Sequence, residues 1–143
     1  GGLYDQIGGG FHRYSTDGSW TVPHFEKMLY DNALLARLYL HAFQVTGSSL
    51  YKVVVEETLD YLLRDMSDNN SGGFYASEDA DSEGGEGSFY TWTKEELRAH
   101  FLTDEAENLI DYFGITDGGN FEGRNILCVS QEVDFSLRSK EFL

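Results

Sequence analysis

The chain has 143 residues and a hydrophobic fraction of 41%, so one small domain with its own core is expected and disorder is not. Its net charge of −15 sets carboxylates against phosphate and argues against nucleic acid or an anionic membrane surface as a partner. Cys128 is the only cysteine, which excludes an internal disulfide, a CxxC redox pair and a multi-cysteine zinc site.

A lone cysteine fits a reducing compartment, and the cytoplasm is the expected location. No apolar run approaches the roughly 18 residues that a membrane helix needs. Gly1-Gly2-Leu3-Tyr4-Asp5 is not a signal peptide, and Lys140-Glu141-Phe142-Leu143 carries no capping signal. The chain is expected to be part of a longer protein.

The first 22 residues are rich in glycine and aromatic residues. Gly8-Gly9-Gly10 is a poor helix interior and reads as a turn leading into an extended segment. A first helix is expected from Pro23 to Val45. Pro23 suits a first helical turn, and Gly47 suits the position after the last. Phe25, Met28, Leu29, Leu35, Ala36, Tyr39 and Phe43 make one apolar stripe, and Leu34, Leu38, Ala42 and Val45 make a second beside it. A helix apolar on most of its circumference is expected to be buried. Its first two turns nevertheless carry His24, Glu26, Lys27, Tyr30, Asp31 and Asn32. Either these groups satisfy one another or they line a cavity.

A second helix is expected from Leu50 to Met66, with Ser48 or Ser49 as its cap. Tyr51, Val54, Val55, Thr58, Leu62 and Met66 face inward, and Lys52, Glu56, Asp60 and Arg64 face water. The two helices form an antiparallel hairpin. Phe74-Tyr75-Ala76 and Phe89-Tyr90-Thr91-Trp92 read as the strands of a small β-hairpin around an acidic loop from Glu78 to Gly87. Thr93-Lys94-Glu95-Glu96 is a capping box that opens a helix to Phe101. Thr103-Asp104-Glu105 opens another, to Phe113, with Gly114 as its stop. Ile126-Leu127-Cys128-Val129 reads as a strand, and the last fourteen residues carry no motif. Gly9-Gly10-Phe11-His12 and Gly72-Gly73-Phe74-Tyr75 repeat one helical hairpin apart, a pattern that an α/α toroid or solenoid would show and that chance would also give.

Several stretches together resemble one family. They are Asp5-Gln6-Ile7-Gly8-Gly9-Gly10-Phe11-His12-Arg13-Tyr14-Ser15, the run from Val22 to Asn32, Gly72-Gly73-Phe74-Tyr75, Glu78-Asp79-Ala80-Asp81-Ser82-Glu83, the run from Phe89 to Thr93, and Asn120-Phe121-Glu122-Gly123-Arg124-Asn125-Ile126-Leu127. The family is the thioredoxin-domain-containing one that includes bacterial members and a spermatogenesis-associated human protein. The resemblance implies a thioredoxin-like domain followed by an (α/α)6 toroid, similar to those of N-acylglucosamine 2-epimerases and six-hairpin glycosidases. The expected fold is therefore all-α, with residues 1–143 forming a segment of such a toroid and carrying a small β-hairpin insertion. On this resemblance the thioredoxin-like part is expected to lie outside these residues. The side faces of an incomplete ring predict that the chain self-associates or belongs to a longer one.

Toroid loops line a central cavity, which turns the polar residues into candidates. His12 and His24 are the expected acid/base pair for epimerising a sugar next to its carbonyl, with Arg13 or Lys27 stabilising the oxygen. A glycosidase-like site would instead set Glu26 or Asp31 against Asp79 or Asp81. Tyr30, Asn32, Glu78 and Trp92 complete the candidate substrate contacts. A third reading is a non-catalytic domain that binds a ligand or partner. Asp79-Ala80-Asp81-Ser82-Glu83-Gly84 imitates the start of an EF-hand, but the twelfth position is Tyr90 rather than Glu, so that reading fails. No metal and no cofactor is expected, and the expected ligand is a small carbohydrate.

Overall fold

The computed structural model describes residues 1–129; the last fourteen, which carry no motif, lie outside the described residues. The order is β1 (Lys27–Met28), α1 (Leu29–Thr46), α2 (Ser49–Arg64), β2 (Ser67–Asp68), β3 (Gly73–Phe74), β4 (Ser77–Glu78), β5 (Asp81–Ser82), β6 (Gly85–Glu86), β7 (Thr91–Trp92), α3 (Lys94–His100), α4 (Thr103–Phe113) and β8 (Asn125–Ile126). The described residues are thus mixed: four helices with short antiparallel pairings β1–β4, β2–β3, β5–β6 and β7–β8. They are not all-α.

The helical hairpin is present. Gly47 ends α1 with φ +67°, and Ser48 leads into α2. Val54, Val55, Thr58, Tyr61 and Leu62 are the buried stripe of α2, while Lys52, Glu56, Asp60 and Arg64 are exposed. The capping box at Thr93 closes on both sides, since Glu96 N–H donates to Thr93 Oγ1 and Thr93 N–H to Glu96 Oε2. Gly114 stops α4 with φ +63°.

Three expectations change. First, α1 starts at Leu29 rather than Pro23, so His24, Glu26 and Lys27 precede the helix. Residues 22–28 are extended because other segments take their hydrogen bonds. His24 N–H donates to Tyr14 O, Glu26 O accepts from Arg13 N–H, and β1 pairs with β4. Local helical pattern yields to these tertiary partners. Second, α1 is not buried all round: only Asn32 and Ala36 are buried, and Leu34, Leu38 and Val45 stand out. Third, Phe74 and Thr91–Trp92 do not pair with each other. Gly73–Phe74 pairs with Ser67–Asp68, and Thr91–Trp92 with Asn125–Ile126. Side chains fix the latter choice: Arg124 Nη2 donates to Thr91 O (2.6 Å) and Asn125 Nδ2 to Trp92 O (3.1 Å). The C-terminal strand is correspondingly Asn125–Ile126, shifted from Ile126–Val129.

The apolar interior comes in three groups. Leu97, Ile110, Ile115 and Leu127 hold α3 to α4. Phe25, Ala80 and Ile126 lie at the middle, and Tyr61, Leu62 and Met66 anchor the end of α2. The glycine-rich loop packs on that end so closely that glycine is required. Gly10 has φ +77°, and a Cβ there would lie 2.5 Å from the Tyr61 ring.

Candidate functional site

A cleft of about 880 Å³ lies between the N-terminal glycine loop, the C-terminal turn of α2 and the segment leading into β7. At its floor is Lys27, whose side chain is 2% exposed. A buried ammonium needs partners to offset its lost hydration. Lys27 Nζ donates to Asp5 Oδ2 at 2.7 Å and to Gly9 O at 3.0 Å. It also stands 4.3 Å from the Tyr61 ring centre and 4.9 Å from that of Tyr90. Asp5 Oδ1 in turn accepts from the N–H groups of Ile7 and Gly8. Burial pushes the Asp5 carboxyl up, but the Lys27 charge and these hydrogen bonds outweigh it and hold the group below its usual value.

His12 is buried beside this pair. Its ring meets Phe25 and Tyr90 edge-on, at 5.3 and 4.6 Å between centres. Burial first, and then the Lys27 charge, push its pKa down to about 4. The imidazole is therefore neutral at pH 7. Its Nδ1 lies 3.0 Å from Phe25 O. A carbonyl only accepts, so Nδ1 carries the proton and Nε2 keeps a lone pair. Tyr61 OH donates to Glu78 Oε2 at 2.7 Å. Burial, followed by Glu78, raises both the Tyr61 and Tyr90 phenols above their ordinary value, so both stay protonated. At the far end Arg124 binds Glu96 through Nη2 at 2.8 Å and Thr91 Oγ1 through Nε at 2.9 Å. His100 stands edge-on to Trp92 there.

Of the residues singled out from sequence, His12, Lys27, Glu78 and Trp92 line the cleft. His24 does not. Its Nδ1 pairs with Glu86 at 2.9 Å, its Nε2 lies 3.5 Å from Glu26, and its ring stacks on Tyr14. Glu26 also accepts from the exposed Arg13 at 3.0 Å, and Tyr30 lies beside Arg13. These four make a separate, partly exposed polar group. Asp31 sits in the first turn of α1. Asn32 is a buried structural clamp: Oδ1 accepts from Phe11 N–H, and Nδ2 donates to Phe11 O and Met28 O. Asp79 Oδ1 accepts from Asp81 N–H, and both residues are exposed. Among the described residues no group of three or more His, Cys, Asp or Glu is placed to hold a metal ion.

Sequence reasoning missed Asp5, Tyr61, Tyr90, His100 and Arg124 as members of the cleft. Tyr61 carried a signal, since it falls on the buried stripe of α2 and is the one residue there with a long polar tip. Asp5 and Arg124 carried none, because their partners are distant in sequence.

No family model matches the chain. Known relatives do. The chain is similar to spermatogenesis-associated protein 20. Identity to the human protein is 40% over 161 aligned residues, covering 95% of the chain and 20% of that protein. For the mouse protein it is 38%, with the same coverage. An uncharacterised Caenorhabditis elegans protein is 38% identical over 136 residues, covering 84% of the chain. The chain spans about one fifth of the length of these curated relatives.

Proposed function

We propose that the chain is a segment of an (α/α)6 toroid whose cleft acts on a carbohydrate, removing and returning a proton beside a carbonyl as a sugar epimerase or isomerase does. The α1–α2 hairpin is one repeat in this reading, and the exposed stripe of α1 is the face that a neighbour would cover. The observation that carries the proposal is His12: a buried imidazole held neutral in the cleft, with Nδ1 committed to Phe25 O and a lone pair on Nε2. The ring is unprotonated at pH 7 and free to accept a proton, but a pKa of about 4 makes it a weaker base than the near-neutral value that general-base catalysis favours, so the substrate or a neighbouring group must raise it.

The other groups fit supporting roles. The Lys27 ammonium, paired with Asp5, is the candidate to face an oxygen that gains only partial negative charge as the proton leaves. The Tyr61 and Tyr90 phenols stay protonated on the same floor; the Tyr61 proton is held by Glu78, and Tyr90 can donate a hydrogen bond to a ligand. Tyr90, Trp92 and the exposed Phe89 supply flat apolar surface against which sugar rings pack. A glycosidase-like reading fits less well. It needs one carboxylic acid with a raised pKa, whereas against the upward push of burial Lys27 holds Asp5 low, and the Thr93 N–H and then Arg124 hold Glu96 low.

One observation favours a non-catalytic reading: Lys27 is bonded to Asp5 and Tyr61 to Glu78, with Lys27 over the Tyr61 ring, as in a purely structural network. Solvent exchange separates the two. Incubated in D2O with reducing sugars, the protein is expected to incorporate deuterium at the carbon next to the carbonyl. His12→Gln is expected to abolish incorporation while leaving sugar binding in place. Binding without exchange in the unaltered protein would transfer the proposal to the ligand-binding reading.

A further inference from the structure

Three cations line the cleft among the described residues, and each is already matched by a carboxylate. Lys27 Nζ lies 2.7 Å from Asp5, Arg64 Nη2 lies 2.6 Å from Asp65, and Arg124 Nη2 lies 2.8 Å from Glu96. Each also donates to a backbone carbonyl: Lys27 to Gly9, Arg64 to Gly8 and Arg124 to Thr91. Glu78 adds a fourth carboxylate to the lining.

Anion sites are built the other way. A phosphate or carboxylate ligand is held by cations that have no carboxylate partner or by the N–H groups at a helix N-terminus. Here the helix end that borders the cleft is the C-terminal turn of α2, at Tyr61 and Arg64, which presents partial negative charge. At the N-terminal turn of α3 the capping box takes the N–H groups of Thr93 and Glu96, and the Glu96 carboxylate itself stands there. An entering phosphate would have to share its cation with a carboxylate already bound there and would be repelled by it. The excess of 25 acidic over 10 basic residues opposes its approach as well.

We infer that the cleft takes an uncharged polyhydroxy ligand, a free sugar rather than a sugar phosphate or sugar acid, because every cation lining it is already neutralised by a carboxylate. The sugar in this statement rests on the carbohydrate reading above; the exclusion of anions rests on the ion pairs alone.

The test is calorimetric titration of the full chain at about pH 8 and low salt. The probes are inorganic phosphate alone, then glucose, mannose and fructose, each beside its terminal phosphate ester. Inorganic phosphate is expected to give no binding, and any sugar that binds is expected to lose affinity by about tenfold or more as its ester. Glu96→Gln supplies the converse. Glutamine keeps the capping-box acceptor but leaves Arg124 with an uncompensated charge, so the ester is expected to gain about tenfold against the free sugar. Phosphate binding, or an ester that binds as tightly as its sugar, would overturn the inference and leave the carbohydrate reading standing. No gain in Glu96→Gln would overturn the ion pairs as its cause. Silence from every sugar and ester would instead sink the carbohydrate reading, and the free-sugar assignment with it.

Discussion

Asp5 and Lys27, twenty-two positions apart, meet at 2.7 Å on the floor of the cleft, with the lysine ammonium between the rings of Tyr61 and Tyr90. The contact ties the glycine-rich loop to β1 and both of them to α2. It places a compensated charge where a proton-transfer site would use one.

Breaking that pair from one side is expected to be costly. Lys27→Met leaves the Asp5 carboxylate buried without its cation, and a loss of about 3–5 kcal/mol is expected. The double variant, Asp5→Asn with Lys27→Met, removes both charges and is expected to recover part of the loss. Urea unfolding of the two single variants and the double reads the difference. Additive losses would show that the pair is not coupled.

Acid is expected to weaken the fold through His12. The unfolded imidazole takes up its proton near pH 6.5, whereas the folded one waits until about 4. Between those values the unfolded chain binds more protons, so stability falls as pH falls. The loss is on the order of 3 kcal/mol by the lower limit. The depressed Asp5 carboxyl acts in the same direction at still lower pH, because its ionised form is the one the fold favours. Urea midpoints at several values from pH 7.5 down to 4, on the unaltered protein and on His12→Gln, measure this. The variant is expected to show the shallower dependence.

Gly10→Ala is expected to destabilise by about 1–3 kcal/mol. The backbone there has φ +77°, and the added methyl would meet the Tyr61 ring. Gly18→Ala, in open space, is the control and is expected to change the thermal midpoint little.

The exposed stripe of α1 is expected to drive association of the isolated chain. Leu34 is 64% exposed, Leu38 61% and Val45 85%, and they follow one another along one side of the helix. Sedimentation is expected to find a dimer or larger species at micromolar concentration, and Leu34→Glu with Leu38→Glu is expected to give a monomer of unchanged helix content. A monodisperse monomer with an ordinary cooperative melt of the unaltered chain would contradict this.

Much of the fold was legible where the signals were local. The stripe of α2, the Gly47 and Gly114 stops and the Thr93–Glu96 capping box each depend on residues within a few positions of one another, and each is present. The start of α1 was not legible. Pro23 and the apolar spacing favour a helix from there, but Tyr14, Arg13, Ser77 and Glu78 claim that backbone from far along the chain. Of the site, His12 and Lys27 could be named from their polarity within an apolar context. Asp5 and Arg124 could not, since nothing near either residue in sequence announces Lys27 or Glu96.

What the sequence determined by itself is therefore the helical hairpin, its Gly47 stop, the acidic composition and the set of residue types available for chemistry. These follow from propensity, period and composition, which act over a turn or two. Only the tertiary structure decided that His12 and Lys27 share a cleft while His24 pairs with Glu26 and Glu86 outside it. That choice turns on burial and on partners far apart in the chain, and burial is what makes one histidine neutral and one lysine a fixed, compensated charge.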